Sequence, residues 1–272
     1  MRTSSLRLVG RYALLAALAI VVLFPVWVML VGAFKPFDKV LQDRLIPNHV
    51  TLSTLREAWR SGNLGRALVN STVVAVIVTI AQVVTSVLAA YAFVFLRFPG
   101  RVIIFGVFLA TLLVPFEATV VVNRRTVQDL GWLNSYQGLA VPFLATAFGT
   151  FLIRQVFLTL PKEMREAARM DGLGHFGFMR EVAVPLVRPT LGALALFSFL
   201  STWNQYLWPT LTTTKQEWLT VQSGLRALSQ AQIDKPNLVI AGTVIVALPI
   251  FVLLMVFQRQ LIRGLTAGAV KG

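Results

Sequence analysis

Long apolar runs divide this sequence, and they constrain its fold more than any other feature. The first run extends from Tyr12 to Phe34 and is 23 residues long. As a helix it measures roughly 35 Å, whereas the apolar core of a signal peptide has only about 7 to 15 residues. Runs of this length predict membrane-spanning helices. The predicted spans are about 12–34, 67–96, 102–122, 138–158, 189–210 and 238–257. Pro115, Pro142 and Pro249 are candidate positions for bends in these helices, and the amphipathic spacing of Leu52–Trp59 predicts a short interfacial helix in the first outer loop.

The composition supports a membrane protein and argues against several other classes. Of the 272 residues, 56% are hydrophobic and only 13% are charged, which is too apolar for a soluble domain. Cysteine is absent, and the two histidines, His49 and His175, lack metal-ligand spacing, so we expect no metal and no bound cofactor. The sequence predicts an all-α integral membrane protein, with residues 1–272 forming a single transmembrane domain of six helices.

The distribution of charge predicts the orientation of these helices. The net charge of +14 is not gathered into a basic patch interleaved with aromatics, so we expect no nucleic-acid partner. With both termini in the cytosol, the cytosolic segments hold 14 Lys/Arg and 4 Asp/Glu, and the outer segments hold 11 and 7, with Arg154 and Glu117 counted in the nearest loop. This bias follows the positive-inside rule and predicts cytosolic N- and C-termini.

The most polar stretch of the chain, Glu166–Gly172, lies in the predicted cytosolic loop between spans four and five, residues 159–188. Within it, Pro161 suits the first turn of a helix and Gly172 suits the residue just past its end. Small and flexible apolar side chains lie between them, beside charged ones, which favours docking into a partner. A solvated helix that contacts nothing is the alternative on amphipathicity alone. The residues predicted to dock are Glu166, Ala167, Ala168, Met170, Asp171 and Gly172.

The spacing around this helix resembles a known motif. Glu166-Ala167-Ala168 is followed after three residues by Gly172, and after nine more by Val182-Ala183-Val184-Pro185. This pattern resembles the EAA loop of ATP-binding cassette (ABC) importer permeases, which ends in Ile-x-Leu-Pro. Val182, Val184 and Glu181 depart from it.

Other segments extend the resemblance over nearly the whole chain. They are Phe98-Pro99-Gly100, the run from Trp203 to Pro209, and the C-terminal tail from Gly264 to Gly272. Together they resemble the smaller permease of the maltose type, and several segments also resemble glycerol-3-phosphate importer permeases.

The resemblance implies a function and a set of partners. The loop would form a coupling helix seated in a groove of an ATPase subunit. The chain would pair with a second permease in the bacterial inner membrane, in contact with membrane lipid, with two ATPase subunits below and a solute-binding protein above. ATP and magnesium would be bound by the ATPase subunits. The expected cargo is a sugar or sugar derivative, with glycerol-3-phosphate or a glycerophosphodiester as the alternative.

Missing features agree with this interpretation. The chain has no Gly-x4-Gly-Lys-Ser/Thr phosphate loop, so it is not expected to hydrolyse ATP. The spans lack the mid-membrane charges that a secondary carrier, the alternative from another class, needs for coupling. A membrane enzyme would need a cluster of nucleophile, base or metal ligands, and the sequence offers none.

Polar residues in or near the spans are candidates for the solute pathway. Gln82 lies on a polar stripe of span two, and Glu117 follows Pro115, near the outer surface or a watery cavity, where it either lines the pathway or pairs with Arg124 or Arg125. Trp203 and Trp208 have an alternative interpretation as an interfacial belt. The pathway candidates are Gln82, Glu117, Asn204, Gln205 and Tyr206.

Overall fold

The computed structural model describes residues 2–36 and 49–266, and side chains within 8–36 and 49–258. Part of the first predicted outer loop and the last six residues of the tail, with its predicted cytosolic location, lie outside the described residues. In the described ranges the chain is helical and contains no strand.

Among the described residues, three helices are long and apolar enough to cross a membrane as single elements. Helix α1 is Arg2–Ala33, α3 is Leu64–Phe95 and α14 is Pro236–Thr266. Between α1 and α3 lies the short amphipathic helix α2, Ser53–Ser61, close to the position predicted for an interfacial helix. These long helices lie at the predicted spans one, two and six.

The other membrane segments are pairs of helices bent at a break. Helices α4 (Arg101–Ala110) and α5 (Phe116–Asp129) belong to the first pair, which bends by 96°. Helices α6 (Tyr136–Ala140) and α7 (Ala147–Phe157) belong to the second, which bends by 44°. If each of the three bent pairs is one span, the described chain has six.

Prolines account for much of this bending, because proline lacks the N–H that continues a helix. Pro115 sits at the break between α4 and α5, and Pro142 lies in the single turn between α6 and the break before α7. Both were predicted as bend positions. Pro249, the third predicted bend, lies inside α14, and the helix continues through it.

The polar loop leads into the third bent pair. Helix α8 is Lys162–Met170 and α9 is His175–Phe178, followed by a π-helical turn at Met179–Ala183 and helix α10 at Val184–Leu186. Helix α11, Arg188–Trp203, departs at 79° from the segment before it. The chain then forms α12, Leu207–Thr212, and α13, Val221–Ala231.

The predicted fifth span, 189–210, is therefore interrupted at residues 204–206. Helix α11 ends at Trp203, and α12 begins at Leu207, with Pro209 in its first turn. Pro209 has no N–H to donate to the carbonyl of Gln205, so an unbroken helix through this stretch would lose a hydrogen bond.

The chain packs as two compact units. One comprises Met1–Gly65 and Gly224–Pro249, with a core of small and branched side chains from α1, α2, α13 and α14. The other comprises Arg66–Ser223 and Ile250–Gly272 and contains two apolar clusters. One cluster includes residues of the α8 loop, and the other includes Trp208 of α12.

Close helix contact in the second unit depends on Gly149 of α7. A Cβ atom at this position would overlap the Oγ atom of Ser86 on α3 and approach Leu194 of α11 to 3.1 Å. Small residues allow membrane helices to approach closely, so Gly149 lets α7 pack against both neighbours.

Candidate functional site

The end of helix α8 is fixed by Gly172. This residue has φ +79°, in the left-handed region that glycine adopts without a Cβ penalty. Its N–H donates to the carbonyl of Arg169 at 3.0 Å, and the N–H of Leu173 donates to that of Ala168 at 2.9 Å. This pair of bonds is the Schellman arrangement that closes a helix. Gly172 therefore has the helix-ending position that the sequence predicts.

One face of the loop packs onto an aromatic cluster at the ends of α3 and α7. Ala168 and Phe178 are buried there with Tyr91, Phe95 and Phe157. The Tyr91 and Phe95 rings lie 4.9 Å apart, and Phe178 packs edge-on against Phe95 at 5.3 Å. Buried aromatic contacts of this kind stabilise packing beyond their apolar area. The α8 loop is thus attached to the spans by a firm apolar base.

A polar contact adds to this base. The Tyr91 hydroxyl donates to the carbonyl of His175 at 2.9 Å and lies 3.0 Å from Nδ1 of the same residue. The side chain of Leu173 also packs against the cluster. Together these contacts hold the segment that links α8 to α9. Tyr91 was not predicted from the sequence. The feature that could have identified it is an aromatic hydroxyl near the predicted cytosolic end of span two.

The opposite face of the loop is exposed. Glu166, Ala167 and Asp171 are exposed there, and Met170 is 89% exposed. Phe176, which was not predicted from the sequence, is 68% exposed. Large apolar side chains left open beside charged ones are typical of a surface that binds a partner. Of the six predicted docking residues, only Ala168 is buried, and it faces the base of the loop.

The pathway candidate Gln82 lies at the break of the fourth predicted span. Its Nε2 donates to the carbonyl of Phe143 at 2.8 Å, and the Thr85 hydroxyl donates to that of Leu144 at 3.1 Å. These carbonyls lack helical partners because the helix breaks before α7. Side chains commonly satisfy such groups inside a membrane. Gln82 thus has a structural contact in addition to its predicted place on the pathway.

Glu117 is exposed in the first turn of α5. Arg124, one of the two partners considered for it, instead donates from Nε to the carbonyl of Leu211 at 2.9 Å and from Nη1 to Gln128 Oε1 at 3.3 Å. The guanidinium of Arg124 therefore ties α5 to α12.

The remaining pathway candidates follow the end of α11. Asn204 is exposed, with Nδ2 donating to the carbonyl of Leu200 at 2.9 Å and Oδ1 accepting from Gln222 at 3.4 Å. Gln205 is half-buried and Tyr206 is exposed. These three candidates lie together at one break, whereas Gln82 contacts a different one.

The interpretation of Trp203 and Trp208 as an interfacial belt is wrong. Both are fully buried, at 1% and 0% exposure. Trp203 stacks on Phe199 at 5.6 Å, and Nε1 of Trp208 donates to the carbonyl of Gly138 at 2.9 Å. A belt tryptophan faces the membrane boundary, whereas these two fill the interior around the break after α11.

The segment after α12 is held by asparagine side chains. Oδ1 of Asn134 accepts from the N–H groups of Thr214 and Lys215 at 2.7 and 2.9 Å, and Asn70 donates to the carbonyls of Glu217 and Leu219 at 2.8 and 3.0 Å. Neither asparagine was predicted from the sequence. In the sequence, Asn70 is an amide near the start of an apolar span and Asn134 is an amide in a short turn. These hydrogen bonds anchor both ends of the exposed stretch between Thr214 and Glu217.

Comparison with known proteins identifies relatives over almost the whole chain. The sn-glycerol-3-phosphate transport system permease protein UgpE of Yersinia pestis is 35% identical over 256 residues, covering 90% of this chain and 91% of its own length. The protein of the same name from Brucella abortus is 34% identical over 269 residues, covering 95% of each chain.

A solved structure has the same fold. A chain in the crystal structure of a bacterial ABC transporter involved in the import of the acidic polysaccharide alginate superposes with a TM-score of 0.80. The match covers 95% of this chain and 98% of the other at 22% identity. The family model of the binding-protein-dependent transport system inner membrane component matches residues 71–267. The chain belongs to this family of ABC importer permeases.

Proposed function

We propose that this chain is one of two permease subunits of a bacterial ATP-driven importer, and that its solute is sn-glycerol-3-phosphate or a glycerophosphodiester. The assignment of this solute rests on the 34–35% identity, over at least 90% of the chain, to permeases named for sn-glycerol-3-phosphate transport. These relatives support the alternative in the sequence-based prediction better than its main expectation. A sugar is compatible with the family and retains the support of the resemblance at residues 203–209.

Energy enters through the exposed face of α8. The loop has a rigid aromatic base around Tyr91 and an open face around Met170, as a lever between a partner and the spans requires. Two ATPase subunits carrying ATP and magnesium would close on each other and move α8. The bent segment from α9 to α11 would pass this motion to the spans, alternating inward-open and outward-open states.

The remaining assignments follow the same arrangement. The termini and the α8 loop lie in the cytosol, and the segment held by Asn134 and Asn70 faces a solute-binding protein on the outer side. Asn204, Gln205 and Tyr206, with Gln82 and Glu117, are the proposed pathway residues. Arg125, exposed on α5, is the candidate cation for an anionic solute.

The test is ATP hydrolysis by the reconstituted complex. The chain is purified with its copurifying partners, placed in proteoliposomes and assayed with the binding protein and one solute at a time. We expect sn-glycerol-3-phosphate or glycerophosphocholine to raise hydrolysis and maltose to leave the basal rate unchanged. Stimulation by maltose alone would reinstate the sugar. Transport by this chain without ATP or partners would make it a secondary carrier.

A further inference from the structure

Basic side chains gather around a cleft beside α8 that the proposed transport cycle does not use. Adjoining cavities of about 560 and 540 Å³ share Phe95, Arg97 and Arg165 in their walls. These volumes lie within the range of roughly 300 to 1,000 Å³ that is usual for small-molecule sites. The cleft lies between the turn that follows α3 and the first turns of α8.

The charge of this cleft is strongly positive. Its walls, with those of the adjoining cavity at the start of α8, carry five Lys or Arg residues and one carboxylate, that of Glu166. Cations gathered in a recess raise the local concentration of anions. The basic residues are Arg97, Arg101, Lys162, Arg165 and Arg169.

Two of these arginines are held in place by the protein. Nη1 of Arg101 donates to the carbonyl of Leu96 at 3.2 Å, at the end of α3. The guanidinium of Arg165 lies over the Phe95 ring at 5.8 Å. A guanidinium with an anchored position is well suited to phosphate, which it binds through parallel N–H donors. Arg97, at the rim, is exposed.

The cleft opens onto an apolar surface. Val102 and Ile103, at the start of α4, line the same cavity and are 77% and 73% exposed. The exposed face continues along α4 with Ile104 and Val107. Because α4 belongs to a predicted membrane span, this face is suited to acyl chains. A soluble phosphate or an acidic protein segment has no apolar chains to place against a rim that lies within the membrane.

We propose that this cleft binds the headgroup of an anionic phospholipid, with the phosphate at Arg97 and Arg101 and the acyl chains along α4. Phosphate is the chemistry recognised, and the apolar rim selects a lipid over the free ion. The predicted orientation places this lipid in the cytosolic leaflet, where anionic headgroups attract basic residues next to a span. The bound lipid would brace the turn after α3 against α8.

Lipid retention by the purified chain tests this proposal. Wild type, the Arg97→Gln/Arg101→Gln variant and an Arg180→Gln control are incubated with phosphatidylglycerol or phosphatidylcholine and examined by native mass spectrometry. Arg180 is an exposed arginine of the same loop and does not line the cleft. We expect wild type and the control to retain phosphatidylglycerol. The double variant should retain less, by about fivefold for each arginine removed. An Arg97→Lys/Arg101→Lys variant, which keeps the charge but lacks the parallel N–H donors, should retain an intermediate amount.

Several outcomes would overturn the proposal. Equal retention of phosphatidylcholine would remove the anionic selectivity, and unchanged retention in the double variant would place the lipid elsewhere. Displacement by excess inorganic phosphate, with phosphate itself then bound, would make the cleft a soluble-anion site. Unchanged lipid retention with loss of copurifying ATPase would assign the arginines to a protein interface. None of these outcomes bears on the transported solute.

Discussion

Gly172 is the residue on which the shape of the α8 loop depends most directly. Its φ of +79° is strained for any residue with a branched Cβ, at a cost of roughly 1 to 2 kcal/mol. A Cβ itself would meet no neighbour within 4 Å, so a substitution here acts through the backbone alone. The conformation closes α8 and directs Leu173 into the aromatic base.

Replacing Gly172 by valine should therefore lower solute-stimulated ATP hydrolysis by the assembled complex, because the end of α8 shifts from its partner. Asparagine tolerates the left-handed region, so Gly172→Asn is the matched variant and should keep most of the stimulation. Both variants should insert into the membrane at wild-type levels. Equal stimulation in the two variants would show that the geometry of this turn does not matter for coupling.

Individual residues also mark a limit of prediction from sequence. The role of Gly172 could be predicted because glycine readily adopts the left-handed backbone conformation that ends a helix, and this preference depends only on local sequence. Trp203 and Trp208 were misread because an aromatic residue near a span end suits either a membrane boundary or an interior. Only the residues around each tryptophan distinguish the two. Phe199, which stacks on Trp203, lies one helical turn before it, whereas Gly138, whose carbonyl accepts from Trp208, lies in a distant part of the chain.

At the scale of elements, the fourth span is two helices joined at a break that α3 supports. Gln82 and Thr85, one turn apart on α3, donate to consecutive carbonyls at that break. Both side chains are half-buried. They connect α3 to the break between α6 and α7, where the carbonyls of Phe143 and Leu144 accept from side chains.

We expect Gln82→Met to lower the thermal stability of the purified protein, because methionine has similar length but cannot donate to the Phe143 carbonyl. The expected loss is roughly 0.6 to 2 kcal/mol, the range for interhelical hydrogen bonds in membranes. Tryptophan fluorescence during heating in detergent measures it. Thr72→Val is the control, because the Thr72 hydroxyl is exposed and donates to Leu68 of its own helix.

The same variant separates the two roles of Gln82. A lower unfolding midpoint with an unchanged solute KM would assign Gln82 to the break alone. An unchanged midpoint with a raised KM would contradict the structural role and favour direct contact with the solute.

Across the whole molecule, the apolar segments could be predicted and their partners could not. Run length identified the membrane segments because the bilayer sets a minimum helix length, and Pro115 and Pro142 identified two bends because proline interrupts helical bonding. The anchoring of Lys215 by Asn134 joins residues 81 apart in the chain. No periodicity or local motif contains such a pairing.

In the candidate site, too, features within one short segment could be predicted, and contacts between distant segments could not. Helix α8 was predictable from spacing and resemblance, since the whole motif lies within one short loop; its docking role stays a prediction. Phe176 and the aromatic base around Tyr91 were not predictable, because that base combines the ends of α3 and α7 with residues far away in sequence. The basic cleft also required the structure, since it brings Arg97 and Arg165 together.

In the proposed transport cycle, a partner covers the exposed face of α8 and drives the spans through it. The chain has no cysteine, so Met170→Cys introduces a single thiol at a position that is 89% exposed. Ile233→Cys is the control, at 79% exposure between α13 and α14.

The first measurement is the rate of maleimide labelling at these two thiols, in the chain alone and in the complex with its ATPase subunits. We expect assembly to slow labelling at Met170→Cys, because an interface excludes reagent from the side chains it buries, and to leave labelling at Ile233→Cys unchanged. Equal labelling of Met170→Cys with and without the ATPase subunits would contradict this role of α8.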